Sequence, residues 1–527
     1  MPAQLSYPGV YIEELSSGVR TITGVATSVT AFIGRALSGP VNEPVLINNY
    51  GDYERRFGGL WIDSTLSYAV QDFYLNGGSQ AIIVRVALGT KPAKIAVPGT
   101  YSPMGDFLNL FASSDGAWGN TLTVTIDHNT ADPTAPPHSP AGSELTNFNL
   151  VLYANGVKVE EYRNVSLSAN DTRFLPRVLE LSSTRITVEK DANGNWVLPA
   201  VTRPAVTPFP IQGIDGSDGS TPDTATYSGS EANKTGLYAL LKTDLFNLLS
   251  IPPPTRAGNT AASVYQAALQ LCALKRAFLL VDPPAEWAAN AVTAVSQAVS
   301  GLPALNLSGT IARNAAIYYP RVRKPDPLRE NQIDTFVPSG IIAGLISQTD
   351  TNRGVWKSPA GIDVALNGIQ GLQANLNDLE NGTLNQLGIN CLRAFPVTGR
   401  VVWGARTLRG ADQLADEYKY IAVRRTALFL EESLYRGTQW VVFEPNDESL
   451  WAQIRLNIGA FMQNLFRQGA FQGKTPKEAY LVKCDKETTT QDDINRGVVN
   501  ILVAFAPLKP AEFVVIQIQQ LAGQTEN

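Results

Sequence analysis

The sequence predicts a multidomain protein of mixed α/β and α+β class, and three features of the chain lead to this prediction. Its 527 residues exceed the roughly 250–300 residues that one hydrophobic core serves. Strand and helix patterns alternate over residues 26–90 and again over 213–389, as in parallel sheets with crossover helices. Strand patterns rich in proline and threonine fill residues 91–212 between them, and long helical stripes follow within 390–508.

The composition argues against two broad functional classes. Hydrophobic residues make up 44% and charged residues 17% of a chain with a net charge of −5. This balance provides no general basic surface for nucleic acid, and no run of about 18 apolar residues is present to span a bilayer. The first residues lack the basic and apolar regions of a secretory signal. We therefore expect a protein that is assembled in the cytoplasm of the producing cell.

Residues 1–25 are predicted to form an N-terminal arm. Val10 and Ile12 alternate with Tyr11 and Glu13, which is the period of a half-buried strand. A serine pair and Gly18 end this pattern. Because one short strand is marginal on its own, we expect the arm to find its partner outside its own neighbourhood.

The first α/β part, residues 26–90, contains three predicted strands and one helix. The strands lie at 29–33, 45–47 and 81–84, and the helix covers 64–75. The last strand is continuously apolar, as in a strand that is covered on both faces of its sheet.

The stretch 91–212 is predicted to be a β-rich insertion. Apolar and polar residues alternate over 121–126, and two further strand patterns within 149–162 flank the dipeptide Asn155-Gly156. This dipeptide suits a type I′ turn, so the sequence predicts a β-hairpin here.

The α/β pattern returns in residues 213–389. Helices are predicted at 237–249 and 261–274, and buried strands at 278–281 and 315–319. This alternation again predicts parallel strands that are joined by right-handed crossovers.

The C-terminal unit, residues 390–508, is predicted to be α+β. One helix is expected over 411–436, and a second follows after a capping position at Asn446 or Asp447. A C-terminal strand arm is expected over 509–527. Its predicted strand residues are Phe513, Val515, Ile516 and Ile518.

Two charged residues interrupt the apolar stripe of the helix at 411–436. Arg425 and Glu432 fall where a core helix carries leucines. Either their stems pack in the core while their heads reach its rim, or this face meets another subunit through charge pairs. We take Arg425 and Glu432 as candidate inter-subunit charges on the second interpretation.

The sequence predicts no catalytic site, no metal and no cofactor. Its two histidines, His128 and His138, both lie in the insertion, whereas a Ser-His-Asp triad needs an imidazole held beside the nucleophile. Neither a phosphate-binding loop nor a nucleophile-elbow motif is present. The cysteines are too few and too scattered for a disulfide framework or a zinc motif, and we expect reduced, packed thiols. They are Cys272, Cys391 and Cys484.

Ten blocks of the sequence closely resemble the contractile tail sheath family of myophages, R-type bacteriocins and extracellular contractile injection systems. They occur in order over nearly the whole chain, and the resemblance is weakest in the insertion. The blocks are YPGVYIEE (7–14), FIGRALSGP (32–40), WGNTLTVTI (118–126), FLLVDPP (278–284), VPSGIIAGLISQTDTNRGVWKSPAG (337–361), GINCLRAFP (388–396), VVWGARTL (401–408), FLEESLYRGTQWVVFEPND (429–447), FRQGAFQGKTPKEAYLVKCDKETTTQDDINRG (466–497) and FAPLKPAEFVVIQIQQ (505–520).

The resemblance implies a subtilisin-like α/β middle domain, in fold only, and an α+β C-terminal sheath domain. It further implies hexameric rings stacked as a helix around an inner tube, with both terminal arms joining sheets of neighbouring subunits. Contraction of this sheath would drive the tube through a target cell envelope. The implied partners are other copies of the chain, the tube protein, and baseplate and terminator proteins, within a phage tail or injection particle.

The resemblance and the terminal patterns together assign roles to particular residues. The strand-exchange candidates are Val10, Tyr11, Ile12, Glu13, Phe513, Val515, Ile516 and Ile518. The loops near Gly18 and Pro507 are hinge candidates, and Arg455, Arg467 and Lys474 are candidates for contact with the inner tube. Two alternatives stay open: a non-contractile tail or shell protein, and a peptidase of the subtilisin type.

Overall fold

The computed structural model describes residues 20–99, 107–130, 146–200 and 203–517. Its first part confirms the predicted strands and the predicted helix, and it adds one short helix between the second strand and the predicted helix. The elements are β1 (Thr30–Gly34), β2 (Val45–Ile47), α1 (Tyr50–Phe57), α2 (Leu66–Leu75) and β3 (Ala81–Arg85).

Among its described residues, the insertion consists of strands, one 3-10 turn at Ala117–Thr121 and one α-helix. Its elements are β4 (Lys94–Pro98), β5 (Phe107–Ala112), β6 (Leu122–Asp127), β7 (Phe148–Ala154), β8 (Val157–Val165), α3 (Leu175–Ser182), β9 (Ile186–Val188) and β10 (Ile211–Gln212). Two sheets, β10-β6-β7-β8 and β4-β5-β9, enclose one apolar core. The predicted hairpin is confirmed, since Asn155 and Gly156 join β7 to β8 with φ angles of 49° and 78°.

The middle of the chain alternates between strands and helices. Its elements are α4 (Thr224–Ser228), β11 (Leu248–Ser250), α5 (Ala262–Leu274), β12 (Phe278–Val281), α6 (Ala294–Gly301), β13 (Ala315–Tyr319), β14 (Val322–Asp326), β15 (Gln332–Phe336), α7 (Ser339–Arg353), β16 (Gly371–Leu372), α8 (Asp378–Asn385), β17 (Ile389–Phe395) and β18 (Gly399–Trp403).

The C-terminal unit has two long helices and a small sheet. Its elements are α9 (Ile421–Gly437), α10 (Glu448–Arg467), α11 (Pro476–Ala479), β19 (Tyr480–Lys483), α12 (Gln491–Asn495) and β20 (Leu502–Phe505). Asp447 caps α10, and its carboxylate accepts a hydrogen bond of 2.9 Å from the amide of Leu450.

One sheet of eight strands forms the centre of the molecule, in the order β18-β17-β13-β12-β11-β1-β3-β2. The inner strands run parallel, and the two edge strands, β2 and β18, run antiparallel to their neighbours. Apolar cores cover both faces, which explains why β1, β3, β12 and β13 are buried along their whole length. The mixed α/β multidomain fold is therefore as predicted.

The central sheet extends further along the chain than the sequence indicates. Strands β17 and β18 belong to it through the parallel pairing of β13 with β17. The predicted boundary at residue 389 thus falls in front of two strands of the central unit. The β17–β18 hairpin interrupts the strand–helix alternation, and this explains why the α/β pattern does not carry the central unit beyond residue 389.

Two predicted helices are partly wrong. Within 237–249, a single 3-10 turn covers Gly236–Lys242, and β11 then enters the sheet between β1 and β12. A short apolar run does not distinguish a buried strand from a helix by periodicity. The helix expected over 411–436 begins only at Ile421. The residues before it form a loop in which Arg409 pairs with Asp416 at 3.0 Å, and Leu414 is exposed.

Helix α9 connects the C-terminal unit to the central one. Ile421 and Leu428 lie in the core beneath α2 and α7, while Leu430 faces the separate core that α10 forms with the small sheet. Ile22, from the segment before β1, also packs in this second core. One helix therefore contributes side chains to two hydrophobic cores, which ties the two units together.

Candidate functional site

Among the described residues, the small sheet of the C-terminal unit contains two strands. Strand β19 pairs antiparallel with β20, from Tyr480 opposite Phe505 to Lys483 opposite Leu502. Val482 and Val503 pack against the core of α10, whereas Leu481 and Leu502 are about half exposed at 51% and 50%. Among the described residues, neither outer edge of this sheet has a strand partner. The sheet therefore offers two rows of backbone groups to additional strands.

The segment that follows β20 runs along the body of the molecule before it becomes exposed. Ala506 accepts a hydrogen bond of 2.9 Å from the amide of Gln472, and Pro507 forms a backbone bridge with Phe471. The hinge candidate Pro507 thus lies where the segment is still attached. Further along, Glu512 is half-buried, and the apolar residues after it are 72–82% exposed. These are Phe513, Val514, Val515 and Ile516.

Several predicted assembly residues lie outside the described part of the chain. They are Val10, Tyr11, Ile12, Glu13, Gly18 and Ile518. The first described residue, Arg20, is held against the C-terminal unit. Its amide donates to the side chain of Asn457 at 2.9 Å, and its guanidinium stacks on the ring of Trp440. The described N-terminal segment therefore starts on the unit that carries the small sheet.

The charge of Arg425 is paired within its own chain. Its guanidinium donates to both carboxylate oxygens of Asp350 in α7, at 2.8 and 2.6 Å, and to the carbonyl of Thr27. Both members of the ion pair are buried. In this conformation the side chain is unavailable to a neighbouring subunit, so its assignment as an inter-subunit charge needs correction.

Glu432 is likewise engaged inside the chain. Arg276, which follows α5, reaches one carboxylate oxygen at 2.9 Å, and Arg436 reaches the other at 2.6 Å. Arg436 in turn pairs with Asp244 of the central unit. The inter-subunit assignment of Glu432 is therefore corrected in the same way. Periodicity alone did not show that α9 faces the central unit with its charged positions.

The three tube-contact candidates lie on the C-terminal unit in different surroundings. Arg467, at the end of α10, and Lys474, in the loop after it, are exposed. Arg455 is partly covered, since its guanidinium pairs with Glu448 and donates to the carbonyl of Cys484. Arg467 and Lys474 are thus accessible to a partner, while Arg455 first has to leave its present contacts.

The carboxyl ends of the central strands carry a polar cluster, but it is closed to solvent. The Ser339 hydroxyl donates to Asp282 at 2.8 Å, the Ser250 hydroxyl donates to Ser339 at 2.9 Å, and all three residues are buried. Burial raises the pKa of Asp282 to about 7. His128 lies in the insertion, where its ring bonds to the carbonyl of Pro204. Among the described residues no imidazole lies beside Ser339, and burial closes the cluster to a substrate, so it does not form a Ser-His-Asp site.

In the part of the chain that the structure describes, no group of three histidine, cysteine or acidic side chains is arranged to hold a metal ion. Its helices include none that is long and apolar enough to cross a membrane. The three cysteines are free and buried.

Two family models match the sequence. Residues 234–408 match the phage tail sheath protein central domain, and residues 415–520 match the phage tail sheath C-terminal domain. Together they cover just over half of the chain. Their junction agrees with the structure, where the central sheet ends at β18 and α9 opens the next unit.

Curated tail sheath proteins are similar in sequence. The tail sheath protein of Vibrio phage KVP40 is 30% identical over 184 residues, which cover 34% of this chain and 26% of that protein. The tail sheath protein of Burkholderia phage BcepMu is 24% identical over 478 residues, covering 88% of this chain and 87% of that protein.

Solved sheath structures share the fold. The sheath of the extracellular contractile injection system PVC, in its contracted state, is 22% identical, with a TM-score of 0.57 and 98% of each chain covered. The contracted helical sheath of the anti-feeding prophage is 23% identical, with a TM-score of 0.54 and coverage of 98% and 100%. A sheath tail protein from Listeria innocua, at 12% identity, has a TM-score of 0.58 over 93% and 96%.

The fold and these likenesses define a structural protein and not an enzyme, in keeping with the closed polar cluster in the central unit. The chain belongs to the phage tail sheath family. It is a component of a phage tail or of a contractile injection particle.

Proposed function

We propose that this chain is a contractile sheath subunit that polymerises by strand exchange. In this proposal, hexameric rings stack as a helix around an inner tube, and contraction of the array drives the tube through a target cell envelope. Each subunit receives strands from its neighbours at the β19–β20 sheet and donates its own terminal segments in return. The partners are other copies of the chain, the tube protein, and baseplate and terminator proteins.

One observation carries this proposal: an incomplete sheet and exposed strand-forming residues occur in the same chain. The β19–β20 sheet is two-stranded among the described residues, and the apolar residues Phe513–Ile516 lie against little of their own subunit. Exposed apolar residues with a strand pattern, in a chain that also has open sheet edges, are a liability for a monomer. They are an advantage in a polymer, where backbone hydrogen bonds bind the strand and alternating side chains set its register.

Strand exchange supplies enough free energy to hold a lattice together. At about 0.5–1.5 kcal/mol net per backbone hydrogen bond, a strand of a few residues contributes a few kcal/mol. Burial of the half-exposed Leu481 and Leu502 adds to this. Because every subunit makes the same links, the mesh stays connected while the subunits change their packing.

Contraction is proposed to move each subunit largely as one body. Arg425 and Asp350 join α9 to α7, and Arg276 and Glu432 join the same helix to the end of α5. These links oppose bending between the central and C-terminal units. Movement is then left to the arms, with Gly18 and Pro507 as hinge candidates. The free energy for contraction is stored in the extended lattice during assembly, so the subunit itself needs no cofactor.

Further parts of the proposal rest on the family resemblance. The middle domain is taken to be subtilisin-like in fold, and assembly is placed in the bacterial cytoplasm before the particle is complete. Arg467 and Lys474, which are exposed, and Arg455, once freed from Glu448, are proposed to face the inner tube. Charge reversal at Arg467 and Lys474 tests this assignment, because it should reduce co-assembly with the tube and leave assembly of the sheath alone intact.

Electron microscopy of the purified protein tests the proposed function. The chain alone should form hollow, striated cylinders, and the chain assembled with its tube protein should form longer and narrower ones. A single lattice state under all conditions would favour a non-contractile tail or shell protein. Uniform monomers under all conditions would contradict polymerisation altogether.

A further inference from the structure

The central unit contains a binding site for a carboxylate, and Glu512 of the terminal segment occupies it. The Arg406 guanidinium reaches the two carboxylate oxygens through Nε at 2.6 Å and Nη2 at 2.8 Å. The side-chain amide of Asn385 donates to one oxygen at 2.8 Å, and the Tyr420 hydroxyl donates to the other at 2.9 Å. Four donors from three parts of the chain thus converge on one carboxylate.

Contacts that do not involve Glu512 also hold the Arg406 side chain in place. The Arg406 side chain is fully buried, and its remaining nitrogen donates to the carbonyl of Asn385 and to Asp412. Asn390, in β17, fixes the Arg406 backbone by accepting from its amide at 2.7 Å and donating to its carbonyl at 2.8 Å. The central unit therefore holds the Arg406 backbone and one guanidinium nitrogen independently of Glu512. A bidentate contact between a well-positioned guanidinium and a carboxylate is strong and directional.

The surroundings of Glu512 show that this contact carries much of the attachment. The segment 508–513 passes over a cavity of about 810 Å³, whose wall includes Trp356 and Trp403. Apolar packing beneath the segment is therefore incomplete. Ala511 and Phe513, on either side of Glu512, are exposed. The segment is held at one end near Pro507 and at the other end by the carboxylate.

We propose that the Arg406 site is the anchor of the outgoing C-terminal strand, and that Glu512 is the residue that positions this strand. The anchor fixes where the strand leaves the subunit and in which direction, so that the residues from Phe513 onward reach a neighbouring copy of the chain. The free strand then begins at Phe513. The terminal segment has a hinge after Glu512, in addition to the hinge candidate at Pro507. This inference rests on the proposed strand exchange.

The experiment compares variants by the mobility of a spin label at residue 514 in the monomer and by the yield of polymer from the unlabelled full-length chain. Glu512→Gln keeps the size of the side chain but removes its charge, and the label should move several-fold faster because charge-assisted hydrogen bonds that hold the segment are lost. The yield of polymer should be lower for Glu512→Gln than for the unaltered chain. Glu417→Gln, which changes an exposed carboxylate on the same unit, should alter neither readout.

A second variant guards against misfolding of the first. Tyr420→Phe removes one donor to Glu512 and leaves the Arg406 contact in place, so the label should move faster by a smaller factor with the fold intact. Unchanged mobility of the label in both variants would overturn the anchor. Faster motion of the label with unchanged polymer yield would overturn its role in positioning the strand.

A separate variant distinguishes failure of the anchor from failure of strand exchange. Val515→Pro blocks strand pairing beyond the anchor and leaves Glu512 untouched. If this variant polymerises like the unaltered chain, the proposed strand exchange is wrong, whatever Glu512→Gln does to the monomer. If it fails to polymerise while Glu512→Gln succeeds, exchange stands and the anchor is refuted.

Discussion

Arg425 in α9 and Asp350 in α7 form a buried ion pair with two hydrogen bonds, at 2.8 and 2.6 Å. Thr27 joins both partners, since its hydroxyl donates to Asp350 at 2.7 Å and its carbonyl accepts from Arg425. Three distant parts of the chain thus meet at one pair of charges. Removal of one partner from such a pair strongly destabilises the folded state, because the other charge is left buried and unpaired.

Arg425→Ala should therefore destabilise the subunit by about 3–5 kcal/mol, measured by chemical denaturation of the monomer. Arg496→Ala is the matched control, because Arg496 makes its contacts with Asp492 and Asp493 on the surface. That change should cost at most about 1 kcal/mol. Equal stability of the two variants, with a polymerisation defect in Arg425→Ala alone, would instead restore an inter-subunit role for Arg425.

Val515→Pro should prevent assembly without unfolding the monomer. Val515 is 82% exposed, so the change removes no core packing, while proline removes a backbone donor that a strand needs. Sedimentation and denaturation measure the two effects separately. Val515→Thr, which keeps the backbone donor and the branched shape, should assemble. Equal assembly of the two variants would contradict strand pairing at this position.

Phe443→Gly should stabilise the monomer. Phe443 lies in the loop between α9 and α10, fully exposed, with a φ of +71°. The left-handed conformation costs a side-chain-bearing residue roughly 1–2 kcal/mol and glycine almost nothing. Val442, with a φ of −65°, is the matched control, and Val442→Gly should destabilise the monomer by about 0.5–1 kcal/mol. Equal effects of the two changes on the denaturation midpoint would contradict the assignment of strain to Phe443.

Asp282 should make the monomer less stable as the pH rises from about 4 to 7. Burial raises its pKa to about 7 from an unfolded value of 3.8, so in this range the folded state holds a proton that the unfolded state releases. The contribution lost over this range reaches about 4 kcal/mol, at 1.36 kcal/mol for each pKa unit. The polar groups that face Asp282 are Ser339, Tyr265 and Arg321.

Asp282→Asn should remove this part of the pH dependence, as measured by denaturation at several pH values. Asp63→Asn, at an exposed position, is the control and should preserve it. An unchanged slope in Asp282→Asn would mean that the carboxyl is ionised in the folded protein at acidic pH.

The sequence predicts best those elements whose signal is local. The Asn155-Gly156 hairpin and the apolar strands β1, β3, β12 and β13 follow from turn chemistry and from continuous burial. By contrast, β11 is three residues long, and its apolar run suits a helix equally well. The loop before α9 contains an ion pair between Arg409 and Asp416, and the periodicity of the sequence does not reveal this loop.

The contacts that define the site are the least predictable. Glu512 lies 106 residues after Arg406, and no sequence pattern around either residue predicts their contact. Arg425 and Glu432 did stand out, since each interrupts an apolar stripe. Their partners Asp350 and Arg276 belong to the central unit and are brought to α9 by the fold. The sequence therefore shows that two charges interrupt the stripe, but it does not show which residues they pair with.

A cryo-EM reconstruction of the assembled polymer tests strand exchange most directly. We predict that residues following Glu512 of one subunit form a strand on β19 or β20 of a neighbour, so that this sheet has more than two strands and residues from more than one chain. A polymer in which the β19–β20 sheet stays two-stranded, with the segment after Glu512 folded on its own subunit, would contradict the proposed mechanism of assembly.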